Sequence, residues 1–282
     1  MHTGPLAKDL TVLLARQVAE HQLALPLLPS VAAEVLGLAQ LEATDAARLS
    51  HVMHRDPTLA SSVLRVANSA AFSGQVPCAS LQQAISRLGL QRVTEIALAI
   101  AVRGAVFVNK RHGEQFAQLW RHSVVTAFFA KEIARARRRN VETAFLCGLL
   151  HDIGQAILLT TAERLLPDGL VLGEDLTQGL HEQHGGAGGL LARHWQLPEP
   201  IAESIEHHHG YEQAPKFAEL AMTVCLADLL AHQAAEQGAQ LPLASEPIRN
   251  HAVLQGLNLY PDQLDALFAK APQALLAAEG LQ

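Results

Sequence analysis

The sequence is poor in the residues that cross-link a chain or stack aromatic rings. It holds three cysteines in 282 residues, Cys78, Cys147 and Cys225, and no CxxC pair. An odd and scattered set predicts neither a disulfide framework nor a cysteine-based zinc site, and it is typical of reduced thiols in the cytoplasm. Aromatic residues make up 4% of the chain, which argues against an aromatic-rich β-sandwich.

Charge and long apolar runs are scarce as well. The chain has 21 Lys and Arg against 27 Asp and Glu, a net charge of −6, which predicts no electrostatic footprint for duplex nucleic acid. No run of 18 uncharged apolar residues occurs, and the opening MHTGPLAKDL lacks the basic-then-apolar pattern of a secretory signal. We therefore expect a cytoplasmic protein without a membrane segment.

What the chain does have is a high content of helix formers. Apolar residues are 49% of the sequence, mostly Leu and Ala, so intrinsic disorder is excluded. Apolar positions recur at helical spacing, and no stretch alternates polar and β-branched residues as a half-buried strand would. These patterns predict an all-α fold.

Local signals indicate where individual helices begin and end. Asp56 followed by Pro57 is typical of a helix start, and Ser80 is a second predicted N-cap. Gly89 fits the position that follows a helix C-terminus. The polar stretch NKRHG at 109–113 indicates a boundary. We expect an N-terminal helical subdomain at 1–110, a second helical subdomain at 111–235 and a C-terminal helical extension at 236–282.

Histidine is the unusual residue of this chain. Of 15 histidines, eight fall between His122 and His209, and histidine is the commonest metal ligand in proteins. His151 and Asp152 lie inside the apolar stretch CGLLHDIGQAILL, where a buried carboxylate is costly unless it is paired or bound to metal. The pair is consistent with two metal ligands or with a hydrogen bond within the core.

Other candidates lie in similar surroundings. Asp228 falls in a helix that is apolar nearly all round, so it needs a cation, a basic partner or helix N-termini. His184 is predicted to begin a glycine-rich helix, whose glycines permit close backbone approach. The run 207–209 contains three histidines at a predicted helix C-terminus, where cationic His also complements the helix dipole. Nitrogen and oxygen donors of this kind suit one or two ions of Fe, Mn, Zn, Ni or Mg.

The candidate ligands also resemble a known family. Their order along the chain is similar to that of the HD superfamily of metal-dependent phosphohydrolases. The segments HRDPTLASSVLRVANSAAFSG and SLQQAISRLGLQRVTEIALA further resemble the HDOD domain, an HD-related output domain of bacterial signalling proteins. The likeness extends from Leu25 to His232. The metal-ligand positions that it implies are His122, His151, Asp152, His184, His208, His209 and Asp228.

The resemblance implies both a fold and a function. The fold is an N-terminal helical bundle packed on an HD-like α-helical core. The function is a regulatory module that acts on other signalling proteins through protein interactions and keeps an HD-type metal site. The alternative is a metal-dependent phosphohydrolase that takes a nucleotide or cyclic dinucleotide as ligand. If the chain is catalytic, Asp152 and a metal-bound water would carry the reaction.

The sequence departs from the active HD-GYP phosphodiesterases at two points. Their HD motif is followed by Gly-Lys, whereas this chain has Gly154 and Gln155, and their Gly-Tyr-Pro loop is absent. The missing Lys removes a phosphate-binding cation. Arg121 and Lys131 are the remaining candidates for a phosphate contact. Five histidines have no predicted partner and are assigned no role: His51, His54, His181, His194 and His232.

Overall fold

The chain is described by a computed structural model over residues 4–39, 46–72, 74, 76–165, 174–237 and 244–281. Within these ranges every regular element is a helix and no strand occurs, which confirms the all-α expectation. The N-terminal helices are α1 Gly4–Ala19, α2 Ser30–Ala39, α3 Ala46–His54, α4 Pro57–Ala67, α5 Leu81–Leu88 and α6 Leu90–Val106.

Six helices, among them the three longest of the described residues, form the central part of the chain. They are α7 Gly113–Ala136, α8 Val141–Leu150, α9 Ile153–Leu165, α10 Glu174–His194, α11 Glu199–Glu206 and α12 Ala218–Gln237, with a 3-10 turn at Tyr211–Gln213. Four short helices follow, α13 Glu246–Arg249, α14 Val253–Gly256, α15 Pro261–Phe268 and α16 Ala271–Gly280.

The predicted helix starts in the N-terminal region are confirmed. The Asp56 carboxylate accepts a hydrogen bond from the backbone N–H of Leu59 at 3.0 Å, directly before Pro57 at the first helical position. Ser80 caps α5 in the same way, through the backbone N–H of residue 83. Gly89 has φ 85° between α5 and α6, a left-handed backbone that favours glycine.

Two bundles build the fold. Helices α2 to α5 pack around α6, while α7 packs against α8 and α12, and α10 packs against α9 and α11. Helix α6 also contacts α8 and α9, which joins the N-terminal bundle to the central one. The three-segment division of the sequence, at 110 and 235, stays a proposal.

Helix α1 lies apart from the other N-terminal helices. It packs against α10 and α9, so its spatial neighbours belong to the central bundle although its sequence belongs to the N-terminal segment. Glycine permits the close approach, since a Cβ at Gly186 would lie 3.1 Å from a methyl of Val18. Trp195, just after α10, donates from Nε1 to the carbonyl oxygen of Pro26 at 2.8 Å. The N-terminal segment is therefore anchored on α10.

The apolar stretch Val141–Leu165 is long and apolar enough to cross a membrane by composition alone. Of its most apolar window, 78% is buried inside the protein. The core of the central bundle therefore accounts for these apolar residues.

The structure corrects the predicted helix start at His184. Helix α10 begins at Glu174, and His184 lies in its middle.

Candidate metal centre

Five elements bring the seven predicted ligand residues to one place. Helix α7 carries one of them, the turn between α8 and α9 two, α10 one, the residues after α11 two, and α12 one. The seven are His122, His151, Asp152, His184, His208, His209 and Asp228. Donor atoms that all lie within 4.8 Å of one another form three groups. The first group is His122, His151 and Asp152, the second is Asp152, His184, His208 and His209, and the third is His122, Asp228 and His232.

Three of the imidazoles are oriented by the backbone in the same way. The Nδ1 atoms of His151 and His208 lie 2.8 and 2.7 Å from the carbonyl oxygen three residues earlier, and His184 makes the equivalent contact. A carbonyl only accepts, so each Nδ1 carries the proton and donates it. When such a ring is neutral, Nε2 carries the lone pair, and this is the form that binds a metal.

The Nε2 atoms of the cluster lie close together in pairs. The Nε2 atoms of His184 and His208 are 3.1 Å apart, and those of His122 and His151 are 3.2 Å apart. Two lone pairs at this distance repel unless a proton or a metal cation lies between them. The donor set therefore fits a cation better than it fits a set of core hydrogen bonds.

Asp152 lies between the two histidine pairs. Its Oδ1 is 3.1 Å from Nε2 of His184, and its Oδ2 is 3.5 Å from Nε2 of His151. Asp228 belongs to the third group, with its Oδ1 2.9 Å from Nε2 of His122. His209 joins the second group. One carboxylate shared by two ligand groups is the arrangement that suits a pair of divalent ions.

Burial and charge set the protonation of these groups in the metal-free protein. Burial lowers the pKa of His151, but the Asp152 and Asp228 carboxylates outweigh it and raise that pKa to about 9. Burial and the neighbouring imidazoles hold the pKa of His208 well below its usual range and lower that of His209 to about 4. The two carboxylates thus favour the protonated form of His151, and a metal would replace that proton.

A cleft of about 1170 Å³ opens onto this cluster. Its wall includes His122, Asp152 and Asp228, together with leucine and alanine side chains from α7, α9, α10, α12 and α16. A volume of this size accommodates a nucleotide-sized ligand. Arg121 is the one Arg or Lys among the described residues of the wall, and its guanidinium is 3.9 Å from Glu279.

Lys131 lies elsewhere, which corrects its candidacy for a phosphate contact. Its Nζ donates to both carboxylate oxygens of Glu95, at 2.5 and 2.6 Å, and both side chains are buried between α6 and α7. Nine residues separate it from His122 on one helix, a rise of about 13 Å. Lys131 instead joins the two bundles.

Two histidines that the sequence left without a role lie beside the cluster. His232 Nε2 is 3.3 Å from Oδ1 of Asp228, and its ring centroid is 4.4 Å from that of His122. The His181 ring lies 5.1 Å from the ring of His184. Helical spacing was the available signal, since His232 follows a candidate ligand by four residues and His181 precedes one by three.

Glycines allow the helices that carry the ligands to approach closely. A Cβ on Gly154, at the start of α9, would overlap the carbonyl oxygen of His184 and lie 2.7 Å from the backbone nitrogen of Gly188. A Cβ on Gly148 would lie 2.8 Å from Cα of Ala127 on α7. Both sites admit only glycine without a shift of backbone, so the cluster depends on them.

Solved structures of similar proteins share the fold of this chain. A crystal structure from Shewanella amazonensis SB2B, provisionally named a phosphohydrolase, has a TM-score of 0.72 at 26% identity and covers 95% of this chain and 98% of its own. An HDOD domain protein of unknown function from Geobacter sulfurreducens has a TM-score of 0.71 at 22% identity, over 97% and 99%. The expected HD-like helical core is thereby confirmed.

The sequence comparisons give the family. An uncharacterized protein of Treponema pallidum (strain Nichols) is 27% identical over 234 residues, which are 78% of this chain and 44% of that protein. The chain thus spans less than half the length of this relative. The model of the HDOD domain matches residues 25–211, well over half of the chain. The protein belongs to the HDOD domain family.

Proposed function

We propose that this chain is a regulatory HDOD module that keeps a two-cation centre, and that the centre hydrolyses a phosphoester. The observation that carries the proposal is the position of Asp152 between two pairs of imidazoles. Each carboxylate oxygen of Asp152 faces one pair, at 3.1 Å for His184 and 3.5 Å for His151. A divalent ion beside each pair would polarise a phosphoryl oxygen and neutralise its charge.

The chain's own side chains would hold the cations and position the substrate. The backbone hydrogen bonds at Nδ1 keep Nε2 of His151, His184 and His208 aimed inward, so the ligands need no reorganisation when they bind. Asp152 would hold both cations at a set separation. The open cleft would bring the phosphate group of a substrate to the same point.

The chemistry of the cleft narrows the substrate. Its described wall has one Arg and no Lys, and Gln155 follows Asp152 by three residues. So few cations match a phosphodiester or a monophosphate better than a polyphosphate. A nucleotide or cyclic dinucleotide fits this volume and charge, with Arg121 at the rim as a candidate phosphate contact. The provisional name of the Shewanella protein, at 26% identity, supports the same class of reaction.

A second candidate is a module that binds signalling proteins in the cytoplasm without turning over a substrate. Gln155 is the observation that favours it, because an amide at this position cannot supply the charge of the Lys that active HD-GYP enzymes carry. In that case the metal would stabilise the central bundle. Fe, Mn, Zn, Ni and Mg all suit the donor set under either candidate.

The first experiment is elemental analysis of untagged protein purified without chelator. We expect about one to two equivalents of metal in the wild type and a large loss in Asp152→Asn, which keeps the size of the side chain. Asp262→Asn is the matched control, because Asp262 is exposed on α15. A wild type that binds no metal even after reconstitution contradicts the proposal.

Turnover then separates the two candidates. Metal-loaded protein is assayed against phosphomonoesters, nucleotides and cyclic dinucleotides, with Asp152→Asn and Asp262→Asn in parallel. Hydrolysis that disappears only in Asp152→Asn supports the phosphohydrolase. Bound metal without turnover of any of these classes supports the interaction module instead.

A further inference from the structure

Besides the seven predicted ligands, the cleft wall carries two more histidines, and one of them, His232, forms a further candidate metal-binding group with His122 and Asp228. His232, on α12, is exposed over 63% of its side chain and lies with Nε2 3.3 Å from Oδ1 of Asp228. Its ring faces that of His122 at a centroid distance of 4.4 Å. His232 therefore stands on the cleft side of the first ligand group.

His181 occupies the equivalent place beside the second group. It lies on α10, lines the same cleft, and its ring centroid is 5.1 Å from that of His184 and 4.9 Å from that of His209. Its carbonyl oxygen accepts from Nδ1 of His184, but no hydrogen bond to its ring occurs among the residues that the structure describes. The exposed His181 ring therefore lies against the second ligand group, on the wall of the cleft.

Few charged groups in the cleft could hold an anion, and the neutral donors of its wall include the amides of Gln115, Gln118, Gln155 and Gln178. In the described part of its wall the carboxylates are Asp152 and Asp228, and the one guanidinium, Arg121, lies 3.9 Å from Glu279. Gln155 replaces the Lys of active relatives. An imidazole carries at least one N–H donor in either protonation state, so it can donate to a phosphate oxygen without a change of charge.

We propose that His181 and His232 form a phosphate-binding pair, one on each side of the metal centre. The pair would take the place of the absent Lys, with one N–H donor beside the first ligand group and one beside the second. The proposal deepens the proposed function and rests on it, because the metals would bind the same phosphate. It identifies the two histidines as substrate contacts and not as metal ligands.

The experiment measures phosphate affinity and metal content separately. Inorganic phosphate is titrated by calorimetry into metal-loaded wild type, His181→Ala, His232→Ala and the double variant, at one fixed salt concentration. A hydrogen bond to a charged group predicts about a ten-fold weaker affinity for each single variant and a larger loss for the double variant. Elemental analysis is expected to give wild-type metal content in all three.

Two further variants make the result specific. His194→Ala, at the exposed end of α10 and outside the described cleft wall, is expected to bind phosphate as the wild type does. His232→Gln keeps an N–H donor and is expected to recover part of the affinity. Failure of His232→Gln to bind better than His232→Ala contradicts a donor role for His232.

The outcomes distinguish this proposal from the proposed function. Metal lost from His181→Ala or His232→Ala overturns the pair as phosphate contacts, because the residue would then be a ligand. Unchanged phosphate affinity in the metal-loaded double variant overturns the pair and leaves the metal centre intact. A wild type that takes up no metal overturns the proposed function, and the pair with it.

Discussion

Replacing Gly154 with alanine tests whether the metal centre depends on one close helix crossing. Gly154 is the second residue of α9 and lies directly against the middle of α10. Its added Cβ would overlap the carbonyl oxygen of His184 and lie 2.7 Å from the backbone nitrogen of Gly188. Both neighbours are backbone atoms, so no side-chain rotation relieves the contact.

The structure gives the size of the expected effect. Ordinary contact begins at 3.4 Å, so α9 and α10 must separate by at least about 0.7 Å at Gly188 and by more at His184. Overpacking of this kind costs about 1–3 kcal/mol, and backbone contacts place Gly154→Ala at the upper end. The 3.1 Å contact between Asp152 and His184 spans the same crossing and would lengthen, so metal binding should weaken as well.

The assay is urea unfolding of the metal-free protein together with elemental analysis of the loaded protein. Gly104→Ala is the control, because Gly104 is a helical glycine whose Cβ would meet nothing within 4 Å. That variant should gain about 0.5–1 kcal/mol from the lower entropy of its unfolded chain. Wild-type unfolding free energy and metal content in Gly154→Ala would refute the close crossing.

Two other predictions concern buried charges. Metal-free protein should lose thermal stability as the pH rises through about 9, the pKa to which Asp152 and Asp228 raise His151 against burial. The stability that this proton contributes is fully present below the unfolded-state pKa of 6.5 and is lost as the pH rises through the folded-state pKa of about 9. The decline should therefore be absent from the metal-loaded protein and from His151→Gln. Lys131→Met should cost about 3–5 kcal/mol in urea unfolding at unchanged metal content, because it leaves the Glu95 carboxylate buried and unpaired. Adding Glu95→Leu should recover most of that loss, and a Lys131→Met protein as stable as the wild type would contradict a buried pair.

The features predicted correctly from the sequence are local ones. The caps at Asp56 and Ser80 depend on a side chain and a backbone N–H three residues further on, so a short window contains all the information. The left-handed Gly89 is equally local. The order of the candidate ligands was also readable, because the resemblance to the HD superfamily depends on residue types along the chain, and their role as metal ligands stays a prediction.

The features predicted wrongly depend on distant neighbours. His184 was predicted to begin a helix, but contacts of α1, α9 and α11 with α10 stabilise a continuous helix through His184 and the glycines that follow it. Lys131 was a candidate for a phosphate contact, yet an ion pair with Glu95, 36 residues away in the chain, holds it between α6 and α7. No pattern within one segment indicates either pairing.

The sequence by itself determined the helical class, the helix ends at Asp56, Ser80 and Gly89, and the residues proposed to bind a metal. Composition, helical spacing and caps are properties of neighbours along the chain, and they suffice for that much. Only the tertiary structure decided that Asp152 lies between two imidazole pairs and that His181 and His232 face the same cleft. These relations join residues of different helices, and their distances follow from how closely the helices pack.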